Sequence, residues 1–195
     1  IFKKLEEKGV PTHLVEELND RETAVKKVEI VPLEVIIRNY SAGSFAKKMG
    51  MEEGIKFKCP TLEFSYKNDD LGDPFINSYY ALALGLATQE EIDDITKYTF
   101  KVNEVLQEYF DGLNIDLIDF KIEFGRYHGQ IILADEISRI PAVCGMSTRM
   151  KNWIRIVSAV ILEMWKKPTT KFSNVWDYKK HTDGGLKEKG LGKPR

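Results

Sequence analysis

A chain of 195 residues suits one domain or two small ones, and 43% apolar content is enough to bury a sizeable core. With 29 basic against 30 acidic residues, it offers no electrostatic case for a nucleic-acid partner. No run approaches the roughly 18 apolar residues of a membrane span, so no membrane partner is expected either.

Cys59 and Cys144 stand alone without metal-ligand spacing, and a reduced cytoplasmic setting is the simplest expectation. No signal peptide is visible, although the chain begins at Ile1 rather than Met.

In chain order, Ile1 to Gly9 reads as the end of a helix, with Ile1, Phe2 and Leu5 on one face and Gly9 before Pro11 as its stop. Thr12 to Leu18 and Ala24 to Val31 read as strands around the turn Asn19-Asp20-Arg21, and Val35 to Tyr40 as another. Ala42-Gly43-Ser44 is a small-residue turn opening a helix, Phe45 to Met49, that stops at Gly50. Strands follow at Ile55 to Lys58 and Thr61 to Lys67, then an acidic loop, Asn68 to Pro74. The clearest helix runs from Thr88 to about Phe110. Thr88 and Glu91 form a capping box, and Ile92, Ile95, Thr99, Val102, Leu106 and Tyr109 recur at helical spacing. Ile115 to Phe124 and Gln130 to Ala134 form a hairpin across Gly125 to Gly129. This order predicts an α+β protein with a mainly antiparallel sheet and packed helices.

Asp119, Lys121 and Glu123 alternate along one strand and so share a face. Asp135 follows the partner strand, and a hairpin brings it toward Glu123. Converging carboxylates with a lysine suit a Mg²⁺ ion holding nucleotide phosphates; cross-strand salt bridges on an exposed face are the other reading. Arg38 ends a strand just before Ala42-Gly43-Ser44. Gly43 admits a close backbone approach, Ser44 sits where a helix begins, and Arg38 offers a fork for phosphate or carboxylate. An N-cap serine with a structural arginine is the alternative. His13, His128 and His181 lie in unrelated contexts, and none is assigned a catalytic role.

Several of these stretches, in order, resemble the SAICAR synthetase family of purine biosynthesis. They are Gly9-Val10-Pro11-Thr12-His13, Val28 to Glu34, Arg38-Asn39 with Ala42-Gly43-Ser44, Asp73 to Asn77, Asp119 to Gly125, and Asp135 to Ser138. The resemblance implies that family's fold and an ATP- and Mg²⁺-dependent, amide-forming ligase. Its substrates would be the carboxylate of an aminoimidazole ribotide and L-aspartate, joined through an acyl phosphate. It further implies that Arg38 and Ser44 hold the ribotide phosphate. Glu123 and Asp135 would hold Mg²⁺ and the ATP phosphates, with Asp119 and Lys121 beside the reacting carboxylate. Lys26, Lys27, Val28 and Glu29 would form a hinge strand near adenine. Residues 1–30 would be the remnant of a nucleotide-binding subdomain whose glycine-rich loop lies upstream, and residues 31–138 the central domain. A catalytically dead nucleotide-binding fragment is the competing expectation, and a homo-oligomer stays open.

Lys48 stands where that family usually has arginine, and Tyr79-Tyr80 where it has polar residues. After Ser138 the family's pattern ends. If the last base of each codon joins the first two of the next, Ser138 to Met146 can spell Pro-Asp-Thr-Cys-Arg-Leu-Trp-Asp, which is the family's continuation. Residues 139–195 therefore read as a frameshifted tail, expected to be irregular or disordered. Met150 to Trp165 alone has an amphipathic, helix-like pattern.

Overall fold

A computed structural model describes residues 1–19, 22–134, 143–146 and 154–155. Helix α1 (Phe2–Glu7) buries Leu5, and the Val10 amide returns to the Leu5 carbonyl at 2.9 Å. Strands β1 (Leu14–Glu17) and β2 (Thr23–Val25) form a separate antiparallel ribbon. The main sheet is seven-stranded among the described residues and antiparallel throughout, in the order β5-β4-β3-β6-β8-β9, with β7 also on β6. Its strands are β3 (Glu29–Tyr40), β4 (Lys56–Tyr66), β5 (Phe75–Ile76), β6 (Ile115–Tyr127), β7 (Gln130–Leu133), β8 (Val143–Met146) and β9 (Ile154–Arg155). Helices α2 (Gly43–Met49), α3 (Ser78–Ala83) and α4 (Gln89–Asp111) complete the fold.

Helix α4 forms where the spacing predicts it. Thr88 and Glu91 close the capping box, and Ile92, Ile95, Thr99, Val102 and Leu106 are buried along one face. That stripe meets Val35, Ile37, Phe120, Ile122 and Phe124 from one face of the sheet. Each such side chain contributes about 1.5–3 kcal/mol by leaving water. Inside the same layer Asn39 and Asn103 exchange two amide hydrogen bonds of 2.9 Å, and Asn39 also donates to the Leu117 carbonyl. No helix among the described residues is long and apolar enough to cross a membrane.

Several boundaries differ from the sequence reading, and prolines and side-chain anchors explain most of them. The strand expected over Ala24–Val31 is broken. The Lys26 amide donates to the His13 carbonyl at 2.7 Å, and the chain leaves the ribbon before β3 begins at Glu29. β3 runs through Pro32 because its pairing with β6 is irregular between Ile30 and Glu34, where a missing N–H does no harm. In the same way β4 is one strand through Pro60, which falls where pairing with β3 is irregular between Arg38 and Tyr40. β6 extends to Tyr127, so the hairpin loop is only His128-Gly129. Both residues have positive φ (49° and 78°), the conformation a tight two-residue hairpin demands. The sequence reading missed α3, whose N-cap Asn77 accepts from the Tyr80 amide.

Two expectations for the tail change. Val143–Met146, read as irregular, forms β8 along the outer edge of β6, where unpaired backbone groups favour a partner strand. Ile154–Arg155, inside the helix-like stretch 150–165, pairs with β8 as β9. The rest of that stretch lies outside the described residues.

Candidate active site

The sheet has two unlike faces because side chains alternate along each strand. One face is the apolar layer under α4. The other carries Glu34 and Arg38 from β3, Asp119, Lys121 and Glu123 from β6, and Thr61, Glu63 and Ser65 from β4. The register sets them side by side. Glu34 lies opposite Glu123 and Ser65, Ile36 opposite Lys121 and Glu63, and Arg38 opposite Asp119 and Thr61.

Ion pairs cross this face from strand to strand. Arg38 donates through Nε to Glu63 at 2.7 Å and through Nη1 to Asp119. Lys121 pairs with Glu34, and Lys67, at the end of β4, reaches Glu123 at 2.5 Å. Arg38, Asp119 and Glu34 are all buried, although each is ionisable. Charges are tolerated there because each meets an opposite charge. The cross-strand salt bridges that the sequence allowed as an alternative are therefore present. They do not argue against a ligand, because fixed partners hold the cations in place before any ligand arrives.

Of the residues singled out in the sequence, Arg38, Asp119, Lys121 and Glu123 are thus brought together. Four residues of strand separate Arg38 from Glu34 and its neighbour Glu123, about 13 Å along the face. Ser44 is exposed in the first turn of α2 and is not its N-cap; that position belongs to Ala42, so the serine-cap alternative does not hold. It stays at the Arg38 end, since the next residue, Phe45, has its ring centre 5.9 Å from the Arg38 guanidinium carbon. Among the described residues, no atom apart from its chain neighbours and its own helix backbone lies within 4 Å of where a Gly43 side chain would begin, so that backbone is open to approach. The Gly43 amide itself already donates to Glu53 at 2.9 Å. Lys48 lies with its Nζ 3.6 Å from the Phe75 ring centre.

Lys26, Lys27 and Val28 form a connector, which corrects the expected hinge strand; only Glu29 is in β3. The connector is anchored at both ends. Lys26 Nζ donates to the Thr12 carbonyl at 3.0 Å, and Glu29 accepts from Arg126 at 2.9 Å. Between them Val28 packs onto Gly125 so closely that a Cβ there would stand 2.4 Å from Val28 Cγ2.

The carboxylate pair expected for Mg²⁺ is half described. Glu123 is on the charged face, and the Ala134 amide donates to its carbonyl at 3.0 Å. Asp135 lies outside the described residues. Among the described residues no three His, Cys, Asp or Glu side chains gather as a metal site. Mg²⁺ needs only one or two carboxylates when substrate phosphates supply other oxygens, so Glu123 has the donor chemistry such an ion takes.

Sequence reasoning missed Glu34, Glu63 and Lys67. The signal was there: Glu34-x-Ile36-x-Arg38 and Thr61-x-Glu63-x-Ser65 alternate as Asp119 to Glu123 do. Only the register showed that these rows are neighbours.

An antiparallel sheet with one face under a long helix and the other lined by paired cations and carboxylates defines an α+β protein with one apolar and one charged sheet face. Comparison with known proteins makes this specific. The family model for SAICAR synthetase matches residues 1–141, and the chain belongs to that family. It is 75% identical over 144 residues to the phosphoribosylaminoimidazole-succinocarboxamide synthase of Lachnoclostridium phytofermentans, covering 74% of this chain and 60% of that one. The corresponding enzyme of a Thermoanaerobacter species is 60% identical over the same shares of each. The chain thus spans about 60% of the length of the curated relatives it matches. Among solved structures, a SAICAR synthetase in complex with ADP superposes with a TM-score of 0.75 at 34% identity, over 97% of this chain and 78% of that one. The synthase from Ehrlichia chaffeensis gives 0.74 at 32% identity, over 95% and 77%.

Proposed function

We propose that the charged face is the substrate and nucleotide site of an ATP-dependent ligase joining L-aspartate to carboxyaminoimidazole ribotide. Arg38 and Ser44 bind the ribotide phosphate. Lys26 to Glu29 border the adenine. Glu123 and Asp135 hold Mg²⁺, which when bound neutralises charge on the ATP phosphates. Lys121 and Asp119 lie beside the reacting carboxylate.

The γ-phosphoryl group passes to a carboxylate oxygen of the ribotide and ADP leaves. The aspartate amine then attacks the acyl carbon, phosphate departs, and the amine proton is released. Such transfers demand positioning and charge neutralisation more than a nucleophilic side chain. Lys121 suits the step because its ammonium is held by Glu34 on a rigid strand, near where negative charge builds.

The observation that carries this reading is the strand register, which sets Arg38, Asp119, Lys121 and Glu123 in two adjacent rows on one face of a family member. The test is aspartate-dependent release of ADP and phosphate by the full chain with ribotide and Mg-ATP. Amide product with one ADP per turnover supports the ligase. Calorimetric binding of Mg-ATP without turnover supports instead the nucleotide-binding fragment, and neither signal refutes both.

A further inference from the structure

We propose that Glu63 is a positioning residue that aims Arg38 at the ribotide phosphate. This rests on the proposed role of Arg38 and deepens it. Arg38 is only 7% exposed, and its guanidinium is held from the strands on either side. Glu63 on β4 accepts from Nε at 2.7 Å, and Asp119 on β6 accepts from Nη1.

A guanidinium is planar and its donors point in fixed directions. Two acceptors on different nitrogens therefore fix both its position and its plane. They leave Nη2, which donates to no described residue, as the remaining corner. A ligand oxygen that reaches that corner can accept from Nη2 in the plane the two carboxylates fix. The Phe45 ring centre stands 5.9 Å from the guanidinium carbon. The next residue back along the chain is Ser44, the other proposed phosphate contact.

The electrostatics separate aim from attraction. Two carboxylates around one guanidinium weaken its pull on an anion. Glu63 therefore contributes through geometry, at the expense of charge. Removing its charge while keeping an acceptor (Glu63→Gln) should preserve the aim. Removing the acceptor (Glu63→Ala) should free the side chain.

The test is calorimetric titration of the full chain with carboxyaminoimidazole ribotide and, separately, with the same nucleoside lacking its phosphate. Glu63→Ala is expected to weaken ribotide binding by about tenfold or more while leaving nucleoside binding nearly unchanged. Glu63→Gln should stay within about threefold of the parent for both. Equal weakening for both ligands, or an alanine variant indistinguishable from the parent, overturns the proposal. Arg38→Met tells its failure from that of the parent reading. If Arg38→Met leaves the preference for the phosphorylated ligand intact, or the parent chain binds no ribotide, Arg38 is not the phosphate ligand and both ideas fall.

Discussion

Arg126, near the end of β6, grips Glu91 in the first turn of α4 with two hydrogen bonds, Nε to Oε1 at 2.5 Å and Nη2 to Oε2 at 2.9 Å. The same guanidinium reaches the Leu86 carbonyl and Glu29, both at 2.9 Å. One side chain thus ties the sheet, the start of α4 and the connector that enters β3. Glu91 works twice, since it also closes the capping box on Thr88.

This pair predicts an acid-labile joint. Hydrogen bonding to Arg126, its largest influence, holds the Glu91 carboxyl below its ordinary value of 4.5. A depressed carboxylate contributes stability that is complete above the ordinary value and is lost as pH falls through the lowered one. Glu91→Gln should cost roughly 1–3 kcal/mol at neutral pH and flatten the loss of stability below that value. Urea unfolding of both proteins across the acid range measures this, and parallel pH curves would contradict it.

At the alkaline end the reporter is Tyr40, whose hydroxyl donates to Asp116 at 2.9 Å. Burial first, and then this bond, push its phenol up to about 12. A raised pKa contributes stability that is present below the ordinary value of 10 and is lost as pH rises through about 12. A difference titration against Tyr40→Phe, followed by phenolate absorbance, should find this tyrosine ionising late. Ionisation at the ordinary value would remove the claim.

The Asn39–Asn103 exchange is buried on both sides. Asn103→Leu strands the Asn39 side-chain amide oxygen, Oδ1, and should destabilise by about 2–3 kcal/mol. The double variant Asn39→Leu/Asn103→Leu should recover part of that loss, because both amides leave together. A double-mutant cycle in denaturant reads the coupling, and simple additivity would show that the pair does not act as a unit.

Gly125→Ala should disturb the connector rather than the sheet. Its Cβ would meet Val28 Cγ2 at 2.4 Å and Val28 Cβ at 2.7 Å, so truncation to alanine at position 28 cannot relieve the clash. A loss of about 1–3 kcal/mol is expected, with partial rescue by Val28→Gly. Thermal melts of the single and double variants decide this. If the connector borders the adenine as proposed, Mg-ATP affinity should fall in parallel.

Lys121→Met removes the ammonium and leaves the Glu34 carboxylate without its partner. Turnover in the coupled assay should fall by about a hundredfold or more, with little change in ribotide affinity. An equal loss in ribotide binding would make Lys121 a binding residue instead.

For residues 139–195 the decisive measurement is the encoding DNA. Read one frame over beyond Ser138, it should spell the family's continuation, beginning Pro-Asp-Thr-Cys-Arg. Any other peptide in that frame refutes a shifted tail.

Local patterns carry information that the sequence exposes directly. The capping residues Thr88 and Glu91 and the apolar stripe of α4 can be read without a structure, because a helix satisfies its own backbone. So can the alternation of Asp119, Lys121 and Glu123, because a strand turns successive side chains to opposite faces. Strand limits at Pro32 and Pro60 could not be read, since a proline breaks a ladder only where its N–H is needed, and the irregularity that spares it belongs to the partner strand.

The chain by itself determined which residues could carry charge to a binding face and, through its ordered motifs, which family it resembles. Only the tertiary structure decided that Arg38 stands between Glu63 and Asp119, and that Lys67 and Lys121 meet Glu123 and Glu34. Those partners lie 25 to 87 residues apart along the chain. Their meeting depends on strand register, which the buried apolar face sets and which no local pattern on the charged face can specify.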